Sequence, residues 1–261
     1  MLRTTILGSL LLVGSVAAAS AQTNPNPVPH DPSEWPQHSL TRPKPPVVTP
    51  GALGATGAPS DAIVLFDGTS LAAWRVADTT LKAAAWKIVD GAMEVAPGAG
   101  SIMTRQGFGD IQLHLEWRTP TPPHGDGQER GNSGVFLMNH YEVQVLDSWN
   151  NPTYADGQAG SIYGQFPPRV NATRPPGEWQ SYDIVFHRPH FDSAGRLTVP
   201  ARLTVFLNGV LIQEDQIVLG PTSNGVRTPY SAHAAELPLQ LQDHGVKVQF
   251  RNIWVRELGD G

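Results

Sequence analysis

From Asp61 onward no stretch of the chain sustains an apolar repeat of 3.6 residues. The apolar residues come in short alternating runs, broken by Gly, Pro, Asn and Asp. A chain punctuated in this way has no amphipathic helix to pack, so its core must lie between sheets. The runs predict strands at Ile63 to Phe66, Trp86 to Val89, Ala92 to Val95, Ser101 to Thr104, Ile111 to Arg118 and Gly134 to Asn139. Further strands are predicted at Tyr141 to Asp147, Trp179 to His187, Ala201 to Leu207, Val210 to Glu214, Leu239 to Gln242 and Val246 to Glu257. Asp90-Gly91 and Asn208-Gly209 supply the positive φ angles of tight hairpin turns. The 26 Gly and 24 Pro suit many short elements joined by turns. The expected class is all-β, a mostly antiparallel β-sandwich.

The chain before Asp61 reads differently. Arg3 precedes an apolar run from Ile6 to Ala18, and Ala19-Ser20-Ala21 is a small-x-small cleavage site, which together predict a signal peptide at residues 1–21. That run is shorter than the roughly 20 residues of a membrane-spanning helix, and no Cys follows the cleavage site to carry a lipid. The expectation is export without a membrane anchor, to the periplasm or the outside. Residues 22–60 hold ten of the 24 prolines and no periodic apolar pattern, which reads as a Pro-rich linker. A strap docking Trp35 on the folded part is the alternative. Residues 61–258 form the one folded domain.

Composition removes several classes of chemistry. Cysteine is absent, which excludes disulfides, thiolate metal sites and thiol nucleophiles. The formal net charge is -5 with no basic block, so nucleic acid is not the expected partner. HExxH, GxSxG, Walker and Rossmann patterns do not occur.

Side-chain parity marks the polar faces. With Ile111, Leu113, Leu115 and Trp117 inward, Gln112, His114, Glu116 and Arg118 point the other way. With Tyr141, Val143 and Val145 inward, Glu142 and Gln144 point outward, with His140 in step behind them. Gln240, Gln242 and His244 repeat the pattern. Strands that place Glu, Gln, His and Arg on one polar surface suit a sugar, which is recognised through hydroxyl groups.

The segments Leu65-Phe-Asp-Gly-Thr-Ser-Leu71 with Trp74, Trp86-Lys-Ile-Val-Asp-Gly91, Gly131-Asn-Ser-Gly134 and Tyr141-Glu-Val-Gln-Val-Leu-Asp147 occur in that order. Gly177-Glu-Trp179, Leu207-Asn-Gly209, Leu241-Gln-Asp-His-Gly245 and Phe250-Arg-Asn-Ile253 follow. This ordered set, from about Ile63 to Leu258, resembles the 3-keto-disaccharide hydrolase family. The resemblance implies a concanavalin A-like jelly-roll and cleavage of 3-keto-glycosides by elimination and hydration, a net hydrolysis. Such chemistry needs a base at C2, a stabiliser for the C3 enolate and an acid for the leaving oxygen.

Glu142 and His244 are the candidate base and acid, with their order left open, and Arg251 is the candidate enolate stabiliser. Arg130, Asn132, His140, Gln144, Gln242 and Glu116 are candidate substrate ligands, with Asp147 in reserve. The bland readings stand beside these: Glu142 as a hydrogen-bonding ligand only, His244 as a turn residue, and Arg251 as one half of a structural pair. No cofactor is implied with certainty. Glu142, Asp243 and His244 include the donor types that hold a divalent metal ion, though nothing in their spacing establishes a site. The expected partner is an oligosaccharide or glycoside. A carbohydrate-binding module on the same fold is the alternative. An ordinary retaining glycosidase ranks last because it needs two carboxylates about 5 Å apart.

Overall fold

Alternation resolves into fifteen strands in the computed structural model, which describes residues 35–44, 57–59 and 61–258. They are β1 (Ile63–Phe66), β2 (Trp74–Val76), β3 (Lys87–Val89), β4 (Ala92–Glu94), β5 (Ile102–Phe108), β6 (Ile111–Arg118), β7 (Ser133–Leu137) and β8 (Tyr141–Val145). The remainder are β9 (Gln180–His187), β10 (His190–Phe191), β11 (Leu197–Val199), β12 (Arg202–Leu207), β13 (Val210–Ile217), β14 (Leu237–Leu241) and β15 (Gln249–Glu257). Every expected strand is present, β1 and β6 with the expected ends and the others with shifted ends. The additional ones, β2, β10 and β11, are two or three residues long, too short for alternation to register. Asp90 and Gly91 (φ 50° and 73°) and Asn208 and Gly209 (φ 54° and 79°) turn their hairpins as their residue types require.

The larger sheet runs β13-β12-β9-β6-β15-β4-β3 with β1 added along β15, and the smaller runs β2-β5-β14-β7-β8. Their inner faces share one core. Leu113, Leu115 and Trp117 of β6 and Tyr182, Ile184 and Phe186 of β9 belong to the same cluster as Val135 and Leu137 of β7 and Tyr141, Val143 and Val145 of β8. Each such side chain contributes about 1.5–3 kcal/mol by leaving water, which makes this layer the main source of stability. The Tyr182 hydroxyl donates across the sandwich to the Gln144 carbonyl at 2.6 Å, and the same carbonyl accepts from the Gly160 N–H at 2.9 Å. Tyr182→Phe therefore leaves that carbonyl with a partner and should cost only about 1 kcal/mol in urea denaturation. A loss of 3 kcal/mol, on the order of a severed buried network, would contradict this bookkeeping.

The outer face of the larger sheet carries a ladder of cross-strand pairs. His114 on β6 meets Asp183 on β9 at 2.7 Å and stacks on Trp254 of β15. Glu116 accepts from Arg251 Nε at 2.6 Å and from Asn252 Nδ2 at 3.1 Å. The Arg251 guanidinium lies 3.9 Å from the centroid of the Trp179 ring. These contacts bury His114 and Glu116 on a face that parity alone would leave to solvent.

Of the expected linker, residues 22–60, the structure describes 35–44 and 57–59. Within them, residues 35–44 lie against the domain, held by polar groups rather than by a periodic apolar face, which is why proline density concealed the contact. The Arg42 and Asp156 side chains, each 1% exposed, stand 3.9 Å apart. Gln37 Nε2 donates to the Ser223 carbonyl at 2.9 Å, and the His38 N–H donates to Asp156 Oδ2 at 3.4 Å. The expected signal peptide lies outside the described residues. Among the described residues, no helix is long and apolar enough to cross a membrane.

Candidate active site

Because Val135, Leu137, Tyr141, Val143 and Val145 enter the core, Gly134, Phe136, Glu142 and Gln144 face outward from the smaller sheet. The register places Phe136 opposite Glu142 and Gly134 opposite Gln144. Beyond the end of β14, Gln242 donates its N–H to the Gly134 carbonyl at 3.0 Å. The Gln242 carbonyl in turn accepts from Ser133 Oγ at 2.7 Å. Over this surface lies a cavity of about 250 Å³, lined by Asn132, Phe136, Glu142, Gln144, Gln242 and His244 among others. Groups separated by more than a hundred positions thus meet in one place.

Glu142 is the electrostatic centre of the cavity. It is 5% exposed, and burial pushes its carboxyl up to about 8 from the ordinary carboxylate value. Among the lining residues there is no Arg or Lys to offset that cost, and Glu142 supplies the only carboxylate. Space for it comes from a missing side chain. A Cβ at Gly134 would overlap Glu142 Oε1 and sit 2.9 Å from Phe136 Cε2. The Gln144 carboxamide lies between two sets of acceptors. Turned one way it donates to Glu142 Oε1 and the Ser133 carbonyl, both at 3.0 Å. Turned the other way it donates to Gln128 Oε1 at 3.0 Å and Asn132 Oδ1 at 3.4 Å.

The remaining walls come from loops. Thr222, Ser223 and Asn224 line one side, and Thr222 Oγ1 accepts the Glu142 N–H at 3.0 Å. Tyr163 lines another side, its hydroxyl 3.0 Å from that of Tyr154 and 3.4 Å from Asn224 Oδ1. Burial raises the Tyr163 phenol, so it stays a proton donor. His244 is exposed on a loop whose preceding residue is fixed: Asp243 accepts from the N–H groups of Gly98 at 2.8 Å, Gly100 at 3.0 Å and Gly245 at 2.9 Å.

Four expected site residues lie elsewhere. Arg251 and Glu116 pair with each other on the outer face of the larger sheet, so Arg251 is not placed to stabilise an enolate in this cavity. Parity had identified the polar face of Glu116 correctly but could not say which sheet carried it. Arg130 is tied to Asp147 at 2.7 Å and to the Trp149 carbonyl at 3.0 Å, pinning the chain after β8. His140 falls beyond a turn in which Met138 and Asn139 have φ of 52° and 57°, and it packs beside His233 instead. Burial, with His233 alongside, lowers its pKa. The donor types Glu142, Asp243 and His244 are not gathered into a metal-holding group. Asp243 spends its carboxylate on backbone N–H groups, and among the described residues no group of three His, Asp or Glu side chains is arranged to hold a metal.

Sequence reasoning missed Phe136, Tyr163 and Thr222 to Asn224. Phe136 was legible as the outward residue between Val135 and Leu137. The others sit in irregular loops, where no period exists to read.

Residues 61–256 match the model of the 3-keto-alpha-glucoside-1,2-lyase-like domain. A 3-keto-disaccharide hydrolase from Bacteroides thetaiotaomicron is 25% identical over 237 residues, covering 75% of this chain and 78% of that protein. The crystal structure of an inferred glycosyl hydrolase from Parabacteroides distasonis is 48% identical and superposes with a TM-score of 0.74, covering 83% of this chain and 93% of that one. Another such structure from the same organism, at 20% identity and a TM-score of 0.54, shares the fold over 76% of this chain and 94% of its own. The matched residues span the whole sandwich and include the cavity described above, and the chain accordingly belongs to the 3-keto-alpha-glucoside-1,2-lyase-like domain family of carbohydrate-active proteins.

Proposed function

We propose that the cavity takes the oxidised ring of a 3-keto-glucoside and that Glu142 is the base that removes its C2 proton. The observation that carries this reading is a single buried carboxylate, held near 8, in a cavity otherwise lined by carboxamides, hydroxyls, the Phe136 ring and the His244 imidazole. A classical glycosidase needs two carboxylates flanking the bond, whereas elimination from a 3-keto sugar needs one strong base.

In the first step the C2–H electron pair moves into the C2–C3 bond and the C3 carbonyl becomes an enolate. The enolate then reforms the carbonyl and expels the glycosidic oxygen from C1, which takes a proton. Water adds to C1 of the resulting enone and a proton returns to C2, giving the 3-keto sugar and the released alcohol. With Arg251 on the other sheet, charge at C3 falls to neutral donors, namely the Tyr163 hydroxyl and the carboxamides of Asn132, Gln144, Gln242 and Asn224. Gln242 Oε1 is buried and has no protein partner, which suits a sugar hydroxyl. His244, exposed at the rim, is positioned to protonate a leaving group that points to solvent.

The test is incubation with ordinary and 3-keto disaccharides in D2O, followed by product analysis. Cleavage of the 3-keto substrate alone, with deuterium at C2 of the product, is expected. Cleavage of the ordinary disaccharide, or tight binding of both with no cleavage, would favour a conventional glycosidase or a binding module instead. The pH dependence follows from the same group. A base must be ionised, so kcat/KM should rise about tenfold per pH unit and level off near pH 8, where Glu142 has lost its proton. A midpoint in the ordinary carboxylate range, about pH 4.3, would remove Glu142 from that role.

A further inference from the structure

Gln37 and His38 line no part of the cavity, yet two of its walls rest on them. Gln37 Nε2 donates to the Ser223 carbonyl at 2.9 Å, and the Gly225 N–H donates to His38 Nε2 at 3.1 Å, so the pair brackets Asn224. The His38 ring meets Tyr154 edge-on, with centroids 4.2 Å apart, and Tyr163 at 5.6 Å. Tyr154 and Tyr163 are themselves hydroxyl partners.

Two local features show that the docking is built in. Gly164 follows Tyr163 with φ of +67°, and a Cβ there would overlap Gln37 Nε2 and lie 3.1 Å from its Cδ. The seat for the Gln37 amide is therefore the side chain that position 164 lacks. His38 itself has φ of 61°, a left-handed conformation that is unfavourable for a non-glycine residue and persists only where surrounding contacts hold it. The buried Arg42–Asp156 pair anchors the segment a few residues further on.

We propose that residues 35–42 form a strap in which Gln37 and His38 are positioning residues for the sugar site, fixing Tyr163 and Asn224 at the distance from Glu142 that a bound ring requires. The proposal rests on the reading of the cavity as the substrate site. It assigns a function in substrate recognition to a segment that precedes the sandwich, acting through two loop residues that no strand register constrains.

The experiment uses the full chain carrying Gln37→Ala with His38→Ala, and separately His38→Gln, which keeps an acceptor for the Gly225 N–H. Hydrogen–deuterium exchange and kinetics on a 3-keto-disaccharide are read together with the melting temperature. In the double variant, faster exchange confined to residues 160–166 and 222–226 is expected, with the sheets unchanged. kcat/KM should fall about 10- to 100-fold, mainly through KM, as for misplaced binding groups, and His38→Gln should recover most of the loss. Unchanged exchange in both loops, or unchanged kcat/KM, overturns the proposal. A melting transition lowered together with faster exchange throughout the sheets also overturns it, because that is a purely structural role. If the unmodified chain cleaves no 3-keto-disaccharide, the functional reading fails on its own, and the exchange measurement still decides whether the strap holds the loops.

Discussion

Glu142→Gln is expected to lower kcat on a 3-keto-disaccharide by 10²- to 10⁴-fold, the usual contribution of a positioned base, while KM changes by no more than a few-fold. Gln has the same length and keeps contact with the Gln144 carboxamide but accepts no proton. The same substitution changes the stability profile. In the folded chain Glu142 holds its proton up to about pH 8, whereas the unfolded chain releases it in the ordinary carboxylate range. The wild-type fold therefore loses stability as pH rises between those values, and Glu142→Gln should flatten that slope in melting experiments. Turnover that persists at saturation with a raised KM would make Glu142 a substrate ligand rather than the base. His244→Asn is the companion variant. It should slow turnover most for substrates with poor leaving groups, since those depend on protonation.

Gly134→Ala should come close to this loss without removing any functional group. The added methyl occupies the volume of Glu142 Oε1 and approaches its Cδ to 3.0 Å, on a strand whose backbone pairing to β8 leaves little room to retreat. Displacing a reacting group by about 1 Å costs on the order of 10²-fold in rate, and kcat should fall by that amount. Gly134 is not among the residues with positive φ, so alanine brings no backbone penalty and the melting temperature should move little. A variant with unimpaired kcat would mean that the carboxylate has freedom its burial does not suggest.

Much of this was legible beforehand because strands obey a period. Alternation located β6, β8 and β14 and told inward from outward residues on each, and the Asn-Gly and Asp-Gly turns named their own hairpins. That was enough to place Glu142, Gln144, Gln242 and His244 at one surface. Alternation is silent on which strands become neighbours. Glu116 has the outward parity but lies on the other sheet, where it pairs with Arg251 through β6 and β15, as the structural alternative for Arg251 allowed. Loop residues carry no period at all, so Tyr163 and Asn224 left no signal. The strap was hidden for a related reason: Gln37, His38 and Arg42 dock through hydrogen bonds and charge, which leave no hydrophobic pattern in a proline-rich stretch.

β8, which carries Glu142 and Gln144, is the last strand of its sheet, and its free edge is closed by the following loop. Tyr163 donates its N–H to the Glu142 carbonyl at 3.2 Å, Gly160 donates to Gln144, and the Gln144 N–H donates to the Ser161 carbonyl at 3.0 Å. An uncovered edge is a template for pairing with another chain. The segment that presents Tyr163 to the cavity is thus also the seal that keeps one molecule from adding to the next. Lesions that loosen it should surface as self-association in solution together with lost turnover, so poor solubility of a variant in this loop is itself a report on the site.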